Sequence, residues 1–315
     1  MAGVRGDATL ARLMYVHRID PIIASVFGVH LWWYGLSYTL GFFEAFLFLR
    51  RRLPLRSVYN LSILLFAGVL LGGRVVEVVF YEWPFYSAQP RLIPVVWLGG
   101  MATHGLLFGG LLGVWLFCLL ERRPFLQITD MLAIPAAFIL GVGRIGNFID
   151  GQIVGSVTSV PWAVKFPDAA GFRHPVVLYD GLKNLLIIPI LILVAKRRPR
   201  PGVLTGTFLF LYAFLRIFVD LFREYPTTLL GLATGQVLNI ALSIIGLALL
   251  LVPLRAEPPV GAHGVRPPTL WQPIVLAALL LFPLIIPSDW TQDVPARYGK
   301  RHAGLVHSAM YPRIP

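Results

Sequence analysis

The sequence predicts an all-α integral membrane protein, a polytopic helical bundle of seven spans followed by an eighth apolar run. Three observations carry this reading. Apolar residues make up 57% of the 315-residue chain and charged residues only 13%, a balance outside that of soluble proteins. The apolar residues fall in several runs long enough to cross a bilayer. The basic residues behind the formal charge of +12 gather in the short connections between those runs, where topology and anionic headgroups explain them better than nucleic acid does.

Taken in order, residues 1–31 read as an arm on the membrane surface, punctuated by Pro21. Arg5, Asp7, Arg12, Arg18 and Asp20 interrupt the start of the chain, so the first span, about Trp32 to Leu49, is expected to act as the insertion signal. Further spans are expected at about Leu61 to Tyr81, Val95 to Leu120, Met131 to Ile149, Val176 to Ala195, Leu204 to Phe222 and Val237 to Leu254. A proline-bearing linker precedes the last run, Leu270 to Ile286, which is near minimum length and holds Pro273 and Pro283. The expected division is a membrane domain over 1–254, then a linker, extra span and tail over 255–315. Cys118, the single cysteine, lies in an apolar run, which excludes internal disulfides and a thiolate-rich metal site.

Charge bias sets the orientation. One side carries Arg50, Arg51, Arg52, Arg56, Arg122, Arg123, Lys196, Arg197, Arg198, Arg200, Arg255 and Arg266; the internal loops of the other carry only Arg91, Lys165, Arg173 and Arg223. The richer side is cytoplasmic by the positive-inside rule. That puts the N-terminus outside and, with eight spans, the tail outside as well. If the last run only lies on the membrane, the tail stays inside.

Four places set polar groups in or beside spans. Tyr34, Gly35 and Tyr38 open the first span; on their own they read as an aromatic belt. Arg74 and Glu77, three apart in the second span, either neutralise each other or act directly. In the run GGMATHGLLFGGLLG, Gly105, Gly109 and Gly113 recur every four residues, the pattern of a tight helix seam. His104 at its head is either a hydrogen-bonded structural imidazole or a general base titrating near neutrality. The fourth place is GVGRIGNFIDGQIVG, residues 141–155. It sets Arg144, Asn147 and Asp150 at three-residue spacing, a helical face, among glycines that include Gly151 and Gly155. Arg216 lies in the sixth span with Asp220 four residues on, so the two share a face. Two arginines in one outer half suit a phosphate, which guanidinium binds bidentately while staying charged; the plainer reading is two structural ion pairs.

Residues in this order resemble the bacterial prolipoprotein diacylglyceryl transferases. The segments are WWYGLSY (32–38), GGR (72–74), GGMATHG (99–105), TDMLAIPAAFILGVGRIGNFIDG (129–151), PWAVKFP (161–167), RHPVVLYDGL (173–182) and LYAFLRIFVDLFREYP (211–226). The resemblance implies transfer of the diacylglyceryl group of phosphatidylglycerol to the lipobox cysteine thiol of a preprolipoprotein, forming a thioether and releasing glycerol phosphate. It implies residence in the bacterial inner membrane, with membrane lipids and the preprolipoprotein signal peptide as partners, and no nucleic acid, metal or cofactor. Carried over by motif, His104 is the candidate base with Tyr34 beside the site. Arg144 and Asn147 hold the headgroup, Arg216 with Asp220 stabilises the phosphate, and Gly151 and Gly155 shape the intervening loop. Gln152 and Arg74 join the substrate-binding set.

The chain departs from that family at several points. Asp150-Gly151-Gln152 stands for the family's NGE, His104-Gly105-Leu106 for HGG, and Leu98 for an acidic residue. His174 to Asp180 lacks the glutamine of HPxQLYE, and Asp220 replaces a glutamate. An amide at 152 cannot take a carboxylate's part in proton transfer, though it can position a ligand. Two alternatives therefore stand beside transfer to a lipobox cysteine: a paralogue with another acceptor, and a non-catalytic lipid-binding membrane protein. The tail from Ser288, with Trp290 and Tyr298 among cations, is expected to fold over the outer mouth and bias acceptor choice.

Overall fold

A computed structural model describes residues 14–151, 153–224, 234–252 and 267–288. Helix α1 spans Trp33–Arg50 and α2 Leu55–Val76, the latter running on through a π turn at Glu77–Tyr81. After a short α3 (Trp83–Ala88) come α4 (Thr103–Glu121), α5 (Phe125–Ile149), α6 (Val176–Lys196), α7 (Val203–Asp220), α8 (Thr234–Leu251) and α9 (Trp271–Leu281), closed by a 3-10 turn at Phe282–Ile285. Five of these stretches are long and apolar enough to cross a membrane: Leu55–Tyr81, His104–Glu121, Phe125–Ile149, Val176–Lys196 and Val203–Asp220. α1 has the length, but Tyr34, Tyr38, Glu44 and Arg50 dilute its apolar character, and the apolar stretches at Gly235–Leu251 and Trp271–Ile285 are shorter. Large side chains such as Phe108, Leu112, Trp115 and Leu120 point outward from α4, as expected where hydrocarbon rather than water surrounds the bundle.

Two expectations are corrected. Residues 15–32 are not simply a surface arm: β2 (Ile22–Val26) and β3 (Val29–Trp32) form an antiparallel hairpin, and β1 (Tyr15–Val16) pairs in parallel with β4 (Val164–Lys165). Among the described residues the bundle therefore carries four short strands. The third span starts at Thr103 rather than Val95. Arg74 explains this: its guanidinium donates to the carbonyls of Leu92 (2.7 Å), Ile93 (2.8 Å), Gly99 (2.7 Å) and Gly100 (3.0 Å). A chain whose carbonyls converge on one cation cannot direct them along a helix axis. Gly99 and Gly100, at φ 88° and 79°, supply the left-handed turn that other residues adopt at a cost. Finally, the last run is an 11-residue helix and a short turn, and residues 289–315, with Trp290 and Tyr298, lie outside the described residues.

The glycine seam of α4 is present, and its partner is α2. A methyl group on Gly105 or Gly109 would run into the carbonyl oxygens of Gly72 and Gly68, and one on Gly113 into that of Leu64. Without side chains the two backbones touch and maximise dispersion contact, the main attraction between helices in lipid. On the basic side, Phe42, Leu49, Phe66, Phe117 and Ile128 form a core between α1, α2, α4 and α5, with Phe42 and Phe66 stacked at 4.1 Å. At the same end the Asp130 carboxylate accepts from the N–H groups of Gly202 (2.8 Å) and Thr205 (2.7 Å). It thereby caps α7 and sets the α5–α7 register. Ala133, Ala137, Ile187, Leu191 and Phe208 pack above that cap.

Gly109→Leu is expected to lower stability by more than the ~1–3 kcal/mol of ordinary overpacking, because the obstacle is backbone. Gly235→Ala, which meets nothing within 4 Å, is expected to melt within about 0.5 kcal/mol of wild type. Thermal unfolding in detergent micelles compares the two.

Candidate active site

The end of the bundle opposite the basic loops brings together the start of α1, the end of α5, the start of α6 and the end of α7. Small residues make this possible. A Cβ on Gly146 would stand 2.9 Å from the Cα of Tyr34, so the glycine lets α1 cross α5. Gly181 faces Gly141 and the Arg144 stem, each 3.1 Å from where its Cβ would be, and so seats α6 against α5. That approach delivers Asp180 to the arginines.

Asp180 is the centre of the site. Its side chain is 1% exposed and meets three cations: Arg144 Nε at 2.6 Å, Lys183 Nζ at 3.1 Å and a short ion pair with Arg216. Arg216 turns its Nε to Asp220 at 3.0 Å. Asp220 in turn accepts from Asn239 of α8 at 3.2 Å and has Arg223 at 3.9 Å. Arg144 Nη1 donates to Asn147 Oδ1 at 3.2 Å. Lys183 donates to Asn184 at 2.6 Å and sits 4.2 Å above the Tyr212 ring. Among the described residues, the three cations around Asp180 thus face two carboxylates, a formal excess of one positive charge. Charge is costly to keep from water, so an unbalanced positive cluster is a standing attraction for an anion. Arg144 is the most exposed cation of the Asp180 trio, at 18% against 9% and 8% for Arg216 and Lys183, and is the one best able to meet a ligand.

The other expected residues divide around this cluster. Tyr34 donates its hydroxyl to Tyr38 at 3.2 Å, and both tyrosines lie within electrostatic reach of Arg144. Gly151 follows α5 with φ +71°, over the ring of His17, whose Nε2 pairs with the Phe148 carbonyl at 2.8 Å. Gly155 lies between the carbonyls of His174 and Phe222, 2.6 and 2.7 Å from where a Cβ would be. It thereby lets the loop after α5 hydrogen-bond to the end of α7, with Ser156 N donating to Phe222 O at 2.8 Å. Gln152 lies outside the described residues. Two residues have other partners: the Arg74 guanidinium holds the loop before α4, and His104 pairs through Nδ1 with the Tyr81 hydroxyl at 2.7 Å.

Sequence reasoning missed Asp180 and Lys183 as partners of the arginines, along with Tyr212 and Asn239. The available signal was a carboxylate and an amine three residues apart inside an apolar run, since ionisable residues within a span mark function by default.

Fold and site together define a multi-pass helical membrane protein with a buried cationic cluster at one end of its bundle. Residues 21–252 match the family model for prolipoprotein diacylglyceryl transferase. Relatives bearing the name phosphatidylglycerol–prolipoprotein diacylglyceryl transferase include that of Chromohalobacter salexigens, 40% identical over 73% of this chain and 91% of its own length. That of Pseudoalteromonas atlantica is 38% identical over 76% and 90%, and that of Pseudomonas aeruginosa 37% identical over 76% and 96%. The chain belongs to the prolipoprotein diacylglyceryl transferase family.

His174, in the loop between α5 and α6, gives a pH signature. Its Nδ1 pairs with the Tyr179 hydroxyl at 3.1 Å, and burial lowers it below the ordinary 6.5. The folded chain therefore holds this proton less tightly than the unfolded chain. The resulting stability is complete above that ordinary value and is lost as pH falls below it through the lower folded value. Melting temperature is expected to drop less between about pH 7 and 5 in His174→Gln than in wild type.

Proposed function

We propose that this protein transfers the diacylglyceryl group of phosphatidylglycerol to the lipobox cysteine thiol of an exported preprolipoprotein. The observation that carries the reading is the positive excess around Asp180, combined with family membership. In the reaction the cysteine sulfur attacks the glyceryl carbon next to the phosphate. The C–S bond forms as the C–O bond breaks, glycerol phosphate leaves with the bonding pair, and the thiol proton passes to a base. Arg144, with Asn147 beside it, and Arg216, backed by Asp220, meet the phosphate as its charge grows. Such fixed donors accelerate reactions because they need no reorganisation.

His104 is the proposed base. In the tautomer whose Nδ1–H donates to Tyr81, Nε2 keeps its lone pair for the thiol proton. A thiol with an ordinary pKa near 8.5 gains from such a neighbour. Tyr34 lines the approach to Arg144, Gly151 and Gly155 shape the loop, and Gln152 positions the headgroup or acceptor. Arg74 acts at one remove, through the loop that leads into α4. The protein resides in the bacterial inner membrane, as family membership supports, and the charge bias of its loops supports an N-terminus outside and a site in the outer half. Seven spans make up residues 1–254, and the eighth run follows them within 255–315.

Mass spectrometry of a lipobox peptide incubated with the purified protein and phosphatidylglycerol tests this. Wild type is expected to add a diacylglyceryl group to the cysteine, and Arg144→Ala to be slower by about 10²–10³. Gln152→Glu is expected to keep activity if residue 152 only positions a ligand. A folded wild type that binds the lipid yet yields no adduct would contradict the reading.

A further inference from the structure

The family match ends at residue 252, yet the segment 267–288 beyond it is built into the bundle. At the basic end Gln272, 1% exposed, donates to Asn60 at 2.5 Å. Asn60 and Ser57 both donate to Glu121, at 2.7 and 2.6 Å. Further along, the Leu280 carbonyl accepts from Thr39 at 2.7 Å, and Pro283 presses its carbonyl on Gly35, where no Cβ could stand. At the far end Ser288 donates to the Asp150 carboxylate at 2.8 Å. The segment therefore starts against α2 at the basic end, passes along α1 to the site and fastens to the residue just after α5.

Near its end the segment meets a pocket. Tyr34, Tyr38, Leu70 and Met101 form one side, and Pro283 and Ile286 the other. The wall is apolar except at the two tyrosine hydroxyls. Those hydroxyls mark the side towards Arg144: the Tyr38 ring lies 3.6 Å from the position of a Cβ on Gly143, one residue before it. An amphiphile whose phosphate meets Arg144 would thus have an apolar recess beside its first carbons.

We propose that residues 280–288 form a specificity-determining wall of the donor-lipid site, in which Pro283 and Ile286 bound the recess for one acyl chain and Ser288 anchors the wall to Asp150. This rests on the assignment of phosphatidylglycerol as donor. An acyl chain is the occupant because the recess is apolar, is bordered by the two tyrosines within electrostatic reach of Arg144 and sits within the lipid-facing bundle. Chain selectivity then depends on residues that lie outside the family match.

The test loads the full-length protein with an equimolar mixture of short-, medium- and long-chain phosphatidylglycerols and reads the bound lipids by native mass spectrometry. Peptide transfer is measured separately. Ile286→Ala is expected to shift bound lipid towards longer chains and Ile286→Phe towards shorter ones, by about fourfold per methylene admitted or excluded. Ser288→Ala is expected to broaden the distribution and Ser288→Thr, which keeps a hydroxyl, to restore it. The volume-conserving Ile286→Leu serves as folding control. Wild-type chain profiles in both Ile286→Ala and Ile286→Phe would overturn the proposal. Shifted profiles without any peptide transfer would uphold the wall and count against the transferase reading instead.

Discussion

A single carboxylate, that of Asp180, holds the cationic end of the bundle together. Arg144 comes from α5, Arg216 from α7 and Lys183 from the turn after Asp180 itself, and without a shared anion their like charges would repel in a low-dielectric interior. Asp180 resolves the repulsion in part only. Its one negative charge fixes the direction of three cations, and the second carboxylate, Asp220, still leaves an excess of positive charge. The geometry is consequently rigid without being electrically complete. A preorganised, undercompensated cluster is what a phosphate-bearing substrate requires, and it places the polar cost of the site in the folded protein before any substrate arrives.

Close backbone packing makes room for that cluster. The α2–α4 glycine seam, the crossing of α1 over Gly146 and the seating of α6 on Gly141 bring helices near enough for short side chains to meet across them. Arg74 performs a related task in the loop before α4. By gathering four carbonyls it spares that loop the unsatisfied acceptors that irregular backbone at membrane depth would otherwise carry.

Most of the helical frame was legible in the sequence, since hydropathy and basic flanks need no tertiary knowledge. The α6 and α7 limits lie within two residues of those expected from the apolar runs. Arg144, Asn147, Arg216 and Asp220 were found by helical spacing, which places partners on one face of one helix. Asp180 escaped that logic because its partners come from two other helices, and no local spacing encodes a contact between α5, α6 and α7. The 95–102 stretch was misread for a similar reason: its apolar side chains argue for a span, while a cation some twenty residues upstream decides its backbone. The short strands at 15–32 and 164–165 lacked any alternating pattern strong enough to compete with a membrane-surface reading.

The most direct test of the central claim is a cryo-EM structure of the protein with phosphatidylglycerol bound. The account predicts the lipid phosphate within about 3 Å of the Arg144 guanidinium, with Arg216 facing it and Asp180 still bridging both arginines from behind. A headgroup bound elsewhere, with the Asp180 cluster closed and dry, would show that these charges serve only to hold the helices together.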